Sequence, residues 1–321
     1  MPPSWGAAAP DGAAVRIALD LTGLGPAADR PAVLAAAAGA APSGTLVDDP
    51  AAWAAPPELP PGWDLVPAEP LTAGTATVPQ AVRAARRSGP RRGLRLVTDG
   101  RADACVLIAD AATTVAAAGF AAGPLPGAGA PVLARTSAGA APRALVSAWS
   151  ASPDSTPGAD LLATLALAAC WARLVSPDEP AVGVLDRGAT AGVPADPAPT
   201  VGTQPVTVAE LVQGTCPSVV VADPGLADVL AEVLAAPAVG APLDFVAVLG
   251  VAAVTVGVSP AVADAARVAQ AVGLATAAGR AGLLEDSRRV LADVVAVRRA
   301  RAGLPADRPG RPAAGTTGAV R

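Results

Sequence analysis

Short apolar runs alternate with longer segments of helical spacing along most of this chain. The clearest unit begins at Gly100, passes through the apolar run 104–108, turns at Asp110 and continues with small residues to Phe120. This order is typical of a buried strand, a tight turn and a helix. Further runs predict strands at 15–21, 44–47, 144–149, 181–188 and 252–258 and helices at 31–41, 160–174, 260–278 and 283–301, and the segment 208–228 again predicts a strand, a corner and a helix.

The alternation of strands and helices predicts an α/β protein with a three-layer α/β/α fold and a mostly parallel, Rossmann-like sheet. We expect one domain at residues 15–303, with disordered tails at 1–14 and 304–321, which are rich in Pro, Gly and Ala. The segment 48–77 is crowded with Pro, so mostly irregular structure is expected there.

Polar residues at the ends of the predicted strands are the candidate site residues. Ligands of open α/β sheets bind beyond the carboxyl ends of parallel strands, where Asp110 and Thr113 follow one strand and Asp223 follows another. The first strand ends at Asp20 and leads into a turn with Gly23 and Gly25, whose backbone N–H groups could hold a phosphate. The alternative for the aspartates is structural, because Asp and Thr at such corners often cap a helix.

Composition removes several classes of function. The 321 residues carry a net charge of −4 and contain no His, which argues against a globally basic nucleic-acid binder and excludes a Ser-His-Asp triad. Three scattered cysteines give no zinc-binding spacing and are typical of buried thiols in a reducing cytoplasm. No signal-peptide pattern or spanning apolar run of about 20 residues is present, so we expect a soluble cytoplasmic protein without cofactor or metal.

One segment is strongly basic despite the acidic whole. Arginines gather between residues 78 and 92, at Arg83, Arg86, Arg87, Arg91 and Arg92. Such a run is either a surface for an anion or an acidic protein, or a solvated helix face followed by an Arg-rich turn. Residues alone leave both interpretations open.

Several segments, in the same order along the chain, resemble the phosphate:acyl-carrier-protein acyltransferase family (PlsX). The family's opening R-I-A-L-D is matched at Arg16 to Asp20, with Gly23 kept from the Gly pair that follows. Its G-x-A-D-A strand is matched by Gly100, Ala102, Asp103 and Ala104. Arg83, Arg86 and Ser88 match a basic helix of the family, and Glu210, Leu211, Gly214 and Asp223 match a later motif.

The resemblance implies acyl transfer from acyl carrier protein to inorganic phosphate, giving acyl phosphate for phospholipid synthesis. It implies a catalytic role at the Asp110 and Asp223 corners and substrate contacts at Asp20, Gly23, Gly25, Arg83, Arg86 and Thr113. It also implies a homodimer. About ten residues replace the family's long amphipathic hairpin before Val239 to Leu243, so membrane contact is expected to be weak or absent.

The chain departs from the family at the centre of the site. Asp110, Asp186 and Asp228 stand where the family has Asn, and an anion in place of a neutral donor repels phosphate. Loss of one oxyanion donor typically lowers a rate by roughly 10² to 10³. We therefore expect acyl transfer to be weak or lost, and whether the chain is an enzyme stays open. The alternative is a non-catalytic paralogue that binds acyl carrier protein or a lipid-synthesis enzyme through the basic segment.

Overall fold

The computed structural model describes residues 14–72, 74–137, 142–148, 157–185, 202–236 and 242–302. The strands in this part of the chain are β1 (Arg16–Asp20), β2 (Ser43–Asp48), β3 (Trp63–Pro67), β4 (Ala104–Ile108), β5 (Val132–Thr136), β6 (Ala144–Ala148), β7 (Ala181–Leu185), β8 (Gly202–Val206), β9 (Val219–Val221), β10 (Phe245–Leu249) and β11 (Val254–Val258). The α-helices there are α1 (Arg30–Ala40), α2 (Val78–Ala84), α3 (Gly89–Thr98), α4 (Ala111–Ala121), α5 (Pro157–Val175), α6 (Val208–Gln213), α7 (Pro224–Ala235), α8 (Ala265–Arg280) and α9 (Leu283–Arg301). Residues 1–13 and 303–321, which include nearly all of the two expected tails, lie outside the described ranges.

All of these strands join one sheet in the order β3-β2-β1-β4-β11-β10-β5-β6-β9-β7-β8. Seven of the ten neighbouring pairs are parallel, which confirms the predicted mostly parallel sheet. The three antiparallel pairs are consecutive and link β11, β10, β5 and β6 at the centre. Because three reversals separate them, the block β3-β2-β1-β4-β11 and the block β6-β9-β7-β8 run in opposite directions.

Helices cover both faces of the sheet, which confirms the three-layer α/β/α prediction. On the first face, α1, α5, α8 and α9 bury one continuous core that includes Ile17, Val106 and Trp171. On the second face the core is divided in two. One cluster lies under α2, α3 and α4 and includes Leu133, and the other lies under α6 and α7 and includes Leu145. Because Leu133 is on β5 and Leu145 is on β6, the division falls between these two strands.

The segment 48–77, expected to be mostly irregular, contains the edge strand β3. Trp63 opens this strand and packs over Gly44 of β2, where a Cβ atom would lie 2.8 Å from the indole ring. An edge strand tolerates flanking prolines because one of its sides needs no ladder hydrogen bonds, so the Pro-rich composition concealed it. The strands β5, β8 and β10 are also absent from the elements that the sequence predicts.

Two helix boundaries show what local pattern can and cannot determine. The last helix, expected at 283–301, has those bounds in the structure. The helix expected from residue 260 instead begins at Ala265, because the side chain of Asp264 caps it by accepting a hydrogen bond from the Arg267 N–H at 2.8 Å. Within the described ranges, none of the helices combines the length and apolar character needed to cross a membrane.

Candidate functional site

The carboxyl end of β1 holds a buried carboxyl group. Asp20 is fully buried, and its Oδ1 accepts hydrogen bonds from the Thr22 N–H at 3.0 Å and the Thr22 hydroxyl at 2.7 Å. Its Oδ2 has no hydrogen-bond partner among the described residues. Burial raises the pKa of Asp20 to about 7, against the opposing effect of the Thr22 hydrogen bonds. The carboxyl group is therefore an interior group.

A helix start closes over Asp20. Gly89 is the first residue of α3, and a Cβ atom there would lie 2.1 Å from Asp20 Oδ1 and 2.2 Å from the Thr22 hydroxyl. Only a residue without a side chain can approach so closely. The contact explains why Asp20, although it ends a strand at the expected edge, is sealed from solvent.

The turn after β1 is held in place by packing and by an arginine. Gly23 lies against the end of β4, where a Cβ atom would be 1.8 Å from the Ile108 carbonyl oxygen. Arg30 donates hydrogen bonds to the Leu24 and Gly25 carbonyl oxygens at 3.0 and 3.3 Å. Its Nε forms a buried ion pair of 3.1 Å with Asp48. Gly23 is thus a packing residue, whereas Gly25 is exposed with open space around its Cα.

The corner after β4 is a helix N-cap at the same edge of the sheet. Asp110 is exposed, and its Oδ1 accepts a hydrogen bond from the Thr113 N–H at 2.7 Å. The first turn of α4 docks on β11 because Gly257 has no side chain, and a Cβ atom there would lie 2.5 Å from the Thr114 hydroxyl oxygen. Thr113 and Thr114 are buried. This geometry favours the capping interpretation of Asp110, while the free N–H groups of a helix start remain suited to an oxyanion.

The two interpretations of Asp110 predict different mutants. Asp110→Ala should lower the free energy of unfolding by about 1 kcal/mol through loss of the cap, whereas Asp110→Ser should preserve most of it. Urea denaturation of the three proteins measures this difference. If the Asp110 carboxylate is catalytic, Asp110→Ser should lose activity while its stability stays close to that of the wild type. If Asp110 is only a cap, Asp110→Ser should be as active as the wild type.

The basic segment forms a compact cationic surface, which we call the arginine surface, made of Arg83, Arg86, Arg87, Arg91, Arg92 and Arg95. Arg83, Arg86, Arg87 and Arg95 are exposed, and Arg91 and Arg92 are half-buried. The pKa of Arg91 lies below its ordinary value, first because of partial burial and then because of the neighbouring Arg95 and Arg86 charges.

Backbone contacts attach this surface to the candidate edge. The Arg91 guanidinium donates to the Arg83 carbonyl oxygen at 2.9 Å, and the backbone of Arg87 and Gly89 bonds to Glu69, just beyond the carboxyl end of β3. Arg87 forms an exposed ion pair with Glu69 at 3.0 Å. No ion pair of Arg83 or Arg86 occurs within the described ranges, so both remain open to an acidic partner.

The second candidate carboxylate lies elsewhere. Asp223 is the N-cap of α7, and its side chain accepts a hydrogen bond from the Gly225 N–H at 3.1 Å. It follows β9, which runs opposite to β4, so Asp110 and Asp223 end strands at opposite edges of the sheet. Five strand spacings separate β4 from β9, roughly 24 Å. The candidate residues Asp20, Gly23, Gly25, Arg83, Arg86, Asp110 and Thr113 therefore share one edge without Asp223.

Asp228, expected to repel phosphate, has a cationic partner. Its Oδ1 accepts a hydrogen bond from Nη2 of Arg135 on β5, so the carboxylate is neutralised. Sequence reasoning did not select Arg135, although a lone arginine between the apolar residues of a strand is an available signal. Asp186 lies outside the described residues.

The three cysteines are free thiols. Cys105 and Cys170 are buried and Cys216 is half-buried, and burial raises the pKa of all three thiols. Across the described ranges, no group of three or more metal-ligating side chains is close enough to hold a metal ion.

Comparison with known proteins gives a fold likeness. No family model and no curated protein sequence matches the chain. The EutD phosphotransacetylase from Staphylococcus aureus superposes with a TM-score of 0.52 at 15% identity, over 83% of this chain and 94% of that one. A branched-chain phosphotransacylase from Enterococcus faecalis V583 gives 0.49 at 12% identity, over 83% and 99% of the two chains. A 4-hydroxythreonine-4-phosphate dehydrogenase from Klebsiella pneumoniae gives 0.47 at 13%, over 88% and 99%. The first of these likenesses shows that this chain has the α/β fold of a phosphotransacetylase.

Proposed function

We propose that this protein transfers an acyl group from acyl carrier protein to inorganic phosphate, at a low rate. The observation that carries the proposal is the arginine surface, a dense cationic patch on a protein of net charge −4, placed at the edge where α4 begins. Opposite charge steers an acidic carrier to such a patch. The phosphotransacetylase-like fold and the sequence resemblance to the phosphate:acyl-carrier-protein acyltransferases support the reaction class.

The reaction needs no covalent intermediate between the substrate and the protein. A phosphate oxygen attacks the thioester carbonyl carbon, the carbon–sulfur bond breaks, and the carrier leaves as the thiolate, which takes up a proton from water. The protein must hold the two substrates in line and place hydrogen-bond donors on the developing oxyanion. Backbone N–H groups in the first turn of α4 are suited to that role, because they lie at the same edge as the arginine surface.

We expect the low rate because none of the three candidate carboxylates is placed to act on a substrate at a shared site. Asp110 and Asp223 serve as helix caps at opposite edges, and Asp20 is sealed in the interior. These observations also favour a second candidate function, that of a non-catalytic protein that binds acyl carrier protein. The two candidates share the docking surface and differ in whether phosphate releases the carrier thiol.

The docking surface can be tested with a charge-matched pair of variants. We expect Arg83→Gln/Arg86→Gln to raise the KM for acyl carrier protein by about tenfold with little change in kcat, because rim charges act mainly on encounter. The control, Arg288→Gln/Arg289→Gln, removes two exposed arginines of α9 and so changes the net charge equally.

The measurement is thiol release from acyl carrier protein with and without phosphate. If both double variants raise the KM for acyl carrier protein equally, the effect comes from net charge, and the arginine surface is not a docking site. Carrier binding without phosphate-dependent release in the folded wild type would replace the acyltransferase by the non-catalytic candidate.

A further inference from the structure

Arg135 occupies the division between the two cores of the second face. Successive residues of β5 alternate between faces, so Val132 and Ala134 belong to the first-face core and Leu133 and Arg135 point to the second face. Arg135 pairs in register with Leu145 of β6, which belongs to the core under α7. The Arg135 side chain therefore lies at the boundary between the apolar core under α4 and the apolar core under α7.

The guanidinium group of Arg135 is only half satisfied. The side chain is 13% exposed, and its Nη2 donates to Asp228 Oδ1. Its Nη1 is buried and has no acceptor among the described residues. An arginine fork is shaped for a ligand with two oxygens, and a buried donor without an acceptor costs free energy.

Asp228 is a removable partner. It lies in the second turn of α7, and its side chain is 66% exposed, so rotation into water costs it little. Its departure would leave both terminal nitrogens of Arg135 available to one ligand. Asp228 therefore occupies one of the two terminal nitrogens of Arg135 that an oxyanion ligand could bind.

The position suits the substrate chemistry. The carboxyl end of β5 is at the same edge as that of β4, because β4, β11 and β5 run in one direction. Three strand spacings, roughly 14 Å, separate β4 from β5, and α4 packs on the same face of the sheet. A ligand on Arg135 would lie between the first turn of α4 and the helix α7.

We propose that Arg135 binds a small oxyanion, inorganic phosphate or a carboxylate, and that Asp228 competes with that ligand for the guanidinium. The inference rests on the proposed function, in which phosphate is the acyl acceptor. It assigns the acceptor to a residue of β5 and gives the chain a built-in competitor that lowers its affinity.

The test is phosphate binding to the full-length protein without any acyl donor, measured by isothermal titration calorimetry and repeated with acetate as the carboxylate probe. We expect Asp228→Asn to tighten phosphate binding on the order of fivefold, because a competing ion pair is lost. Arg135→Gln should weaken it by at least about tenfold. The control Glu285→Gln removes an exposed carboxylate from a similar ion pair on α9 and should leave the affinity unchanged.

Separate outcomes decide the site and the reaction. Unchanged affinity in Asp228→Asn, or an equal gain in Glu285→Gln, overturns the inference, and Asp228→Asn decides the point even if Arg135→Gln does not fold. Tighter binding of acetate with no gain for phosphate supports the site but assigns it to carboxylates. Tighter phosphate binding in Asp228→Asn without thiol release in any variant supports the site and removes the proposed reaction. Phosphate-dependent thiol release that neither variant alters supports the reaction and overturns the site.

Discussion

Replacing Asp20 by Asn is expected to stabilise the protein at pH 8 and to leave it nearly unchanged at pH 3.5. The wild-type carboxyl group has a pKa of about 7 when folded and an ordinary value of 3.8. Below pH 3.8 it is protonated in both states and adds no pH dependence. Between pH 3.8 and 7 only the unfolded chain releases the proton, so the stability of the wild type falls as the pH rises.

The expected difference is large. A shift of this size corresponds to about 4 kcal/mol of stability lost by the wild type above pH 7. Asn retains the acceptor for Thr22 and carries no charge into the interior, so Asp20→Asn should escape most of that loss. Urea denaturation from pH 3.5 to 8.5 measures both slopes.

The control for this prediction is Asp99→Asn, a change at an exposed aspartate that follows α3. It should keep the pH dependence of the wild type. Some slope should also remain in Asp20→Asn, because burial raises the pKa of Asp48 as well. Parallel curves for wild type and Asp20→Asn would contradict the burial of an uncompensated carboxyl group.

The second large effect is expected at the turn after β1, where two glycines form a matched pair. In Gly23→Ala the new Cβ atom would lie 1.8 Å from the Ile108 carbonyl oxygen, so the backbone of the turn or of β4 must move. Overpacking of a rigid interior costs about 1–3 kcal/mol, and a clash with backbone lies at or above the upper end of that range. Gly25→Ala meets nothing within 4 Å and should change the stability by no more than about 0.5 kcal/mol.

Thermal and urea unfolding of the two variants gives the comparison directly. Because they lie two residues apart in one turn, they share the same change in chain entropy of the unfolded state. Equal unfolding free energies of Gly23→Ala and Gly25→Ala would show that the turn can shift to accept the new methyl group without loss of stability. A large loss in Gly23→Ala would establish that the Gly23 position serves packing, whatever Gly25 contributes to phosphate binding.

The strand–turn–helix unit from β4 to α4 illustrates what could be predicted. Its apolar run, its Asp110 cap and its small-residue helix are all signals that act within a few residues. The layered α/β architecture followed from repetition of such units. The same reasoning missed β3, β5, β8 and β10. A Pro-rich flank conceals β3, and a continuous apolar run conceals the boundary of β10.

The candidate site was predictable only where its parts are local. The arginine surface and the helix start at Asp110 are both visible in the sequence and share one edge. Asp223 has the same local pattern as Asp110 and lies at the opposite edge, because three antiparallel pairings reverse its half of the sheet. The direction of a strand relative to its neighbours cannot be predicted from the residues of that strand alone.

The amino-acid sequence was enough to predict the fold class and the gathering of cations, since hydrophobic period and charge density are properties of short segments. It marked Asp110 and Asp223 as either helix caps or site residues without deciding between the two. Tertiary structure alone decided that Asp20 is buried and that Arg135 meets Asp228. Asp20 is sealed by a glycine in another element, and the ion pair joins residues 93 positions apart. Burial and ion pairing depend on which segments pack together, and that depends on strand order and direction across the whole sheet.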